Sequence, residues 1–213
     1  MKVLQILPQL NIGGVERGTL DLSKALIQNG HEAFVISGGG ILVNELEKSG
    51  ATHYEIPVHI KSLKTLFLAK KLSEKIISIN PDIVHVRSRM PAWVNYRAFK
   101  KIQNKPVLVS TFHGLYSFPI YSKVMSFVDH TIAISNTVES YIIQNYDLEK
   151  KDITIIPRGC DPNTFNNVSI DPKEKDDLLN EFPQIKGKKV LTIPGRITKW
   201  KGIAEFILSL IHI

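Results

Sequence analysis

The chain has 213 residues, enough for one α/β domain with a real core plus a remainder. Hydrophobic residues at 43% and charged residues at 22% are ordinary for a globular protein and argue against disorder. A net charge of +7 favours anionic partners such as nucleic acid, acidic lipid or phosphorylated substrates, and a single cysteine excludes an internal disulfide.

Met1–Leu7 is too short for a signal peptide, and no window reaches the ~20 apolar residues that span a bilayer. A cytoplasmic protein is expected. Val3–Leu7, ended by Pro8, reads as a buried strand. Leu20, Leu22, Leu26 and Ile27 give Glu16–Asn29 a helical period, with Gly30 as its stop. Ala33–Ser37 is the second strand, Leu42–Ser49 a helix stopped by Gly50, and His53–Ile56 the third strand. Leu63–Ile79 is an amphipathic helix that ends before Asn80-Pro81. Ile83–Val86 is a strand and Ala92–Ile102 a helix. Val107–Thr111 and Thr131–Ile134 are strands, Asn136–Gln144 is a helix capped by Ser135, and Ile153–Ile156 is the seventh strand.

Apolar strands alternating with helices predict an α/β fold, a Rossmann-like parallel sheet with helices on both faces. The first domain is expected over residues 1–160. Residues 161–187, polar and broken by prolines, read as a linker with a short helix at Lys173–Glu181. Residues 188–213 read as the truncated start of a second Rossmann-like domain, with a strand at Lys189–Ile193 and a helix from Lys201-Gly202. Cys160 has only Arg158 as a nearby basic residue and reads as a small buried side chain.

In open parallel sheets ligands bind beyond the carboxyl ends of the strands. After the first strand, Gly13 and Gly14 lead into a helix whose free N–H groups suit a phosphate. The pattern is neither G-x-G-x-x-G nor a P-loop, which disfavours a nicotinamide cofactor and a Walker-type site. After the fourth strand, Arg87 and Arg89 offer paired donors for carboxylate or phosphate. Nearby Trp93 suits either a sugar face or the core. After the fifth strand, His113 enters the crevice beside Gly114 and Tyr116, able to donate or accept a proton. After the last expected strand, Gly195, Arg196, Lys199 and Lys201 suit a diphosphate. His31, His53, His59, His85, His130 and His212 have no metal-ligand spacing, so no metal is expected. No interleaving of basic and aromatic residues supports nucleic-acid binding.

Together these stretches resemble family 4 glycosyltransferases of the GT-B fold. The resemblance is carried, in family order, by Gly13-Gly14-Val15-Glu16-Arg17, Pro81-Asp82-Ile83-Val84-His85-Val86, Thr111-Phe112-His113-Gly114, Ile156-Pro157-Arg158-Gly159-Cys160-Asp161, and Gly195-Arg196 with Lys201-Gly202. The Arg87–Trp93 run is similar to a bacterial subset tied to lipopolysaccharide or other cell-envelope glycans.

The resemblance implies transfer of a sugar from a nucleotide diphosphate sugar with retention, and no metal cofactor. It implies that Gly13, Gly14, Arg196 and Lys201 hold the donor diphosphate and that His113 sits at the reacting centre. Arg87, Arg89 and Tyr116 fall on the acceptor side, facing a glycan or lipid-linked acceptor. The family's paired glutamates lie further along the second domain, so this chain alone is expected to be inactive. Lys61, Lys64, Lys70, Lys71 and Lys75, interleaved with Leu63, Leu66, Phe67, Leu68 and Leu72, suit either an anionic membrane surface or a helix packed on the sheet. Other readings are a non-catalytic Rossmann-type binding module and a GT-B epimerase or phosphorylase.

Overall fold

Seven short, mostly apolar runs become the strands of one parallel sheet. They are β1 (Lys2–Ile6), β2 (Glu32–Ser37), β3 (Thr52–Glu55), β4 (Ile83–Val86), β5 (Val107–Phe112), β6 (His130–Ala133) and β7 (Ile153–Ile155). The protein, seen as a computed structural model, is described over residues 1–60, 65–116, 119–162, 171–195 and 197–212. It divides into two units, Met1–Gly159 and Cys160–Ile213.

The sheet order is β3-β2-β1-β4-β5-β6-β7, and every neighbouring pair is parallel. Parallel neighbours need long crossovers. Those crossovers carry α1 (Gly14–Gln28), α2 (Val43–Lys48), α3 (Thr65–Ile79), α4 (Arg89–Phe99), the single turn α5 (Pro119–Ser122) and α6 (Asn136–Asn145). The Ser135 hydroxyl accepts from the Val138 N–H at 3.3 Å and caps α6. Gly30, at φ 74, allows the left-handed stop after α1.

Side chains alternate across the strands and split the core in two. Leu4, Ile6 and Ile36 pack with Leu72 and Ile76 of α3 and with Val94 and Ala98 of α4. Ala33 and Val35 face the other way, onto Leu20 of α1 and Leu46 of α2. The chain builds outward from β1 through β2 to β3, then crosses back to lay β4 on the other side of β1. The point where the order reverses lies between β1 and β4, and in open α/β sheets the crevice opens there.

Helix α3 buries Ala69, Leu72, Ile76 and Ile79 against the sheet. Phe67 is 77% exposed and shares the outer surface with exposed Lys70 and Lys71. Lys61, Leu63 and Lys64, and the side chain of Leu66, lie outside the described residues. Among the described residues no helix is long and apolar enough to cross a membrane.

The second unit holds α7 (Pro172–Glu181) and α8 (Ile203–Ser209). The Asp171 carboxylate caps α7 by accepting from the Lys173 N–H at 2.9 Å. The strand expected at Lys189–Ile193 does not form. A lone strand has no neighbour with which to share backbone hydrogen bonds, and Val190 and Leu191 stay 55% and 52% exposed. Cys160, expected to be buried, is exposed. It stands five residues past the end of β7 in the sequence.

Candidate functional site

The site begins inside β1, at Gln5. This glutamine is fully buried between the apolar Leu4 and Ile6. Its amide donates to the Thr19 carbonyl at 3.1 Å and to the Ser23 hydroxyl at 2.9 Å, both in α1. Its Oε1 accepts from Arg87 Nη1 at 2.8 Å. One side chain thus ties the central strand, the first helix and the residue that follows β4. Every polar atom of Gln5 is used, which a buried amide requires.

Arg87 is only 7% exposed, and its Nε has no partner among the described residues. Burial pushes its pKa down to about 10; neighbouring Arg158 adds to the fall, and Glu16 and Asp21 oppose it. The guanidinium remains charged at neutral pH. Among the described residues it belongs to no ion pair.

Helix α1 offers Arg87 a bare surface. A Cβ on Gly18 would lie 3.2 Å from Arg87 Nη2 and 3.3 Å from Arg158 Nη1. A Cβ on Gly14 would lie 3.2 Å from Arg158 Nη1. Positions four apart share one helix face, so this glycine pair makes room for two guanidiniums over the first turns of α1. The Glu16 carboxylate folds back over Gly13, where a Cβ would collide with it. An anion reaching the glycine turn must displace that flexible side chain.

Arg158 closes the group from above. It is exposed and stands three residues past β7. Its Nη1 donates to the Gly14 carbonyl, and its Nη2 donates to His113 Nδ1 at 3.0 Å. His113 directly follows β5. Its Nε2 is shielded and has no partner among the described residues. Burial, then the charges of Arg87 and Arg158, push its pKa down to about 3. The ring is therefore neutral at physiological pH. Gly114 beside it has open space where a Cβ would stand, which leaves room for a ligand. His85 bonds the Thr111 hydroxyl at 2.7 Å and is also held neutral, by burial first and then by Arg87 and His113.

Arg89 takes a different course. Its guanidinium lies 4.8 Å from the centre of the Tyr116 ring and 5.5 Å from that of Tyr121, with Nη1 3.4 Å from the Ser122 hydroxyl. Burial pushes the Tyr116 phenol up, opposed by the His113 backbone N–H and by Arg89. Trp93 donates from Nε1 to the Tyr121 carbonyl at 3.0 Å and meets Tyr96 edge-on at 6.0 Å. It is part of an aromatic wall packed against the core.

The structure therefore brings Gly14, Arg87 and His113 into one cluster and pairs Arg89 with Tyr116. Lys201 is exposed in the second unit, at the end of a 3-10 turn over Lys199–Lys201. Arg196 lies outside the described residues. Gln5, Gly18 and Arg158 belong to the cluster, although no role for them is read from the sequence alone. Arg158 follows a strand end, the rule that located His113. Among the described residues no group of three His, Cys, Asp or Glu side chains could hold a metal ion.

The first unit is thus an α/β, Rossmann-like protein with a glycine turn and a cationic mouth at the switch point of its sheet. Glycosyltransferase Family 4 matches residues 12–164, more than two-thirds of the chain. The chain belongs to this family. The crystal structure of a glycosyltransferase from Rickettsia africae ESF-5 superposes with a TM-score of 0.78 at 34% identity, covering 99% of this chain and 57% of that one. The Anabaena protein HepE, in complex with UDP and glucose, superposes with a TM-score of 0.80 at 19% identity, covering 100% of this chain and 58% of that one. One subunit of the human phosphatidylinositol N-acetylglucosaminyltransferase is 26% identical over 210 residues, 91% of this chain and 40% of that protein. The chain thus spans between two-fifths and three-fifths of these relatives.

The neutral His113 sets a pH dependence of stability. Its pKa is about 3 in the folded protein against 6.5 ordinarily. The unfolded chain therefore takes up a proton that the folded chain refuses, and stability falls as pH drops below about 6.5. From about pH 7.5 to about pH 5 this group costs about 2 kcal/mol. Urea unfolding of His113→Gln should lose about that much less over the same interval. Equal losses in the variant and the parent would contradict the assignment.

Proposed function

We propose that this chain is the acceptor-side part of a retaining glycosyltransferase, which moves a sugar from a nucleotide diphosphate sugar to a glycan or lipid-linked acceptor. The observation that carries the reading is the convergence of Gly14, Arg87, His113 and Arg158 at the switch point of the sheet. Cations and helix N–H groups there meet a diphosphate, whose charge grows as the glycosidic bond breaks. Stabilising that charge is the largest expected catalytic term. Gly13, Gly14, Arg196 and Lys201 are the proposed diphosphate-binding residues. His113 contacts the reacting sugar or acceptor. Arg89 and Tyr116 line the acceptor side, with Arg87 as the buried cation beneath. The UDP and glucose bound by HepE and the N-acetylglucosaminyltransferase name of the human relative support a hexosyl donor. No metal cofactor is assigned.

The expected setting is the cytoplasmic side of the cell envelope, in lipopolysaccharide assembly, a role suggested by the Arg87–Trp93 run. The chain spans under three-fifths of the solved relatives it matches, and the 213 residues by themselves are expected to turn over no donor. In a full-length protein of this family carrying these residues, His113→Ala should lower kcat by about 10²- to 10³-fold in a transfer assay with labelled nucleotide sugars. Full activity in that variant, or turnover by the 213 residues alone, would contradict the reading.

An anionic membrane surface is the proposed docking place. Phe67 is 77% exposed beside Lys70 and Lys71, and Leu115 and Ile120 are 59% and 91% exposed after β5. Exposed apolar side chains with lysines beside Phe67 are suited to insert among acidic headgroups. Co-sedimentation should rise when phosphatidylserine is added to phosphatidylcholine vesicles and should fall in Phe67→Ser. Binding indifferent to acidic lipid would sink the membrane proposal.

A further inference from the structure

A guanidinium carries donors and no acceptor. Arg158 Nη2 stands 3.0 Å from His113 Nδ1, so Nδ1 supplies the lone pair and the ring proton resides on Nε2. A proton on Nδ1 would set N–H against N–H. A second ring proton would add a third cation beside Arg87 and Arg158. The same Arg158 donates to the Gly14 carbonyl through Nη1. Its fork is thus fixed at two points, on the backbone of α1 and on the ring. The Nε2–H that results is shut from solvent and finds no acceptor among the described residues. A buried donor of this kind awaits a lone-pair oxygen from outside the protein.

We propose that Arg158 is a positioning residue that holds His113 as a neutral ring with its proton on Nε2, so that His113 serves a substrate oxygen as a hydrogen-bond donor and not as a base. The inference rests on the transferase reading only for the identity of that oxygen, a hydroxyl or phosphate oxygen of the sugar donor or acceptor. A histidine base is ordinarily oriented by a carboxylate on its other nitrogen, which stabilises the imidazolium. Here that place is taken by a cation. The charged and titratable groups that act on the ring are Arg87 from the end of β4, Arg158 from beyond β7 and His85 within β4, while the Tyr116 phenol meets the His113 backbone. Gly14, Arg158 and His113 come from three separate strand ends, so the arrangement follows from the sheet order.

The test is a two-bond ¹⁵N–¹H correlation spectrum of the histidine rings in the 213-residue chain, with His113→Gln to identify the signal. His113 should show a protonated Nε2 and a bare Nδ1, unchanged from about pH 8 to about pH 5. In Arg158→Met the Nδ1–H form should appear, and the ring should titrate closer to its ordinary value of about 6.5. Arg158→Lys, which keeps a charged donor, should restore the Nε2–H pattern. An Nδ1–H ring in the parent chain, a parent titration near 6.5, or an unchanged spectrum in folded Arg158→Met would overturn the proposal. Should Arg158→Met fail to fold, the parent spectrum decides alone. The spectra need neither donor nor turnover, so their failure leaves the transferase reading intact. Lack of transfer, equally, leaves the tautomer standing.

Discussion

Arg87, only 7% exposed and with no carboxylate partner among the described residues, is the constraint on which the rest of this unit turns. Removing such a charge from water costs several kcal/mol unless other polar groups compensate. Gln5 supplies the main compensation. It reaches Arg87 from inside the central strand and braces itself on Thr19 and Ser23 of α1. The sheet order makes this possible, because β1 and β4 are neighbours at the point where the winding reverses. Gly14 and Gly18 complete it by leaving the helix face bare. Strand order, a buried amide and two glycines therefore cooperate to keep a positive charge beneath the mouth of the sheet.

That charge governs its surroundings. It helps to hold His113 and His85 neutral, and with Arg158 it makes the edge attractive to oxyanions. The helix dipole of α1 adds to the same field. Such a preorganised site does little for a neutral ligand and much for one whose negative charge grows during reaction. The cost is an under-satisfied pair of polar atoms, Arg87 Nε and His113 Nε2, held in a folded core. Native proteins leave buried polar groups unpaired rarely, and a ligand site is a common reason.

Much of this is legible in the sequence. Seven strands and the main helices are readable because apolar runs and helical periods are strong, and glycine stops are local. His113, Gly14 and Arg87 are readable because each follows a strand end. Gln5 reads as part of an apolar run, although one amide in a central strand is itself a signal of a buried polar network. Gly18 is hidden because a glycine inside a helix says nothing of what packs against it until the fold brings Arg87 and Arg158 there. Arg158 lies within a family motif, but its contacts with Gly14 and His113 span 144 and 45 residues. Such distances are closed only by the sheet. The strand expected at Lys189–Ile193 has the right local pattern, and among the described residues no strand pairs with it. The wall position of Trp93 depends on Tyr96 and Tyr121, which periodicity alone does not bring together.

The cationic edge between β1, β4 and β5 is the proposed binding place of an anionic ligand. Amide shifts of the ¹⁵N-labelled chain during titration with inorganic pyrophosphate measure this directly, independent of sugar and base. The predicted result is a set of shifts confined to Gly13–Arg17, Arg87–Arg89, His113-Gly114 and Arg158. Shifts confined to the opposite edge, around Lys105–Leu108, or no shifts at saturating pyrophosphate, would contradict it.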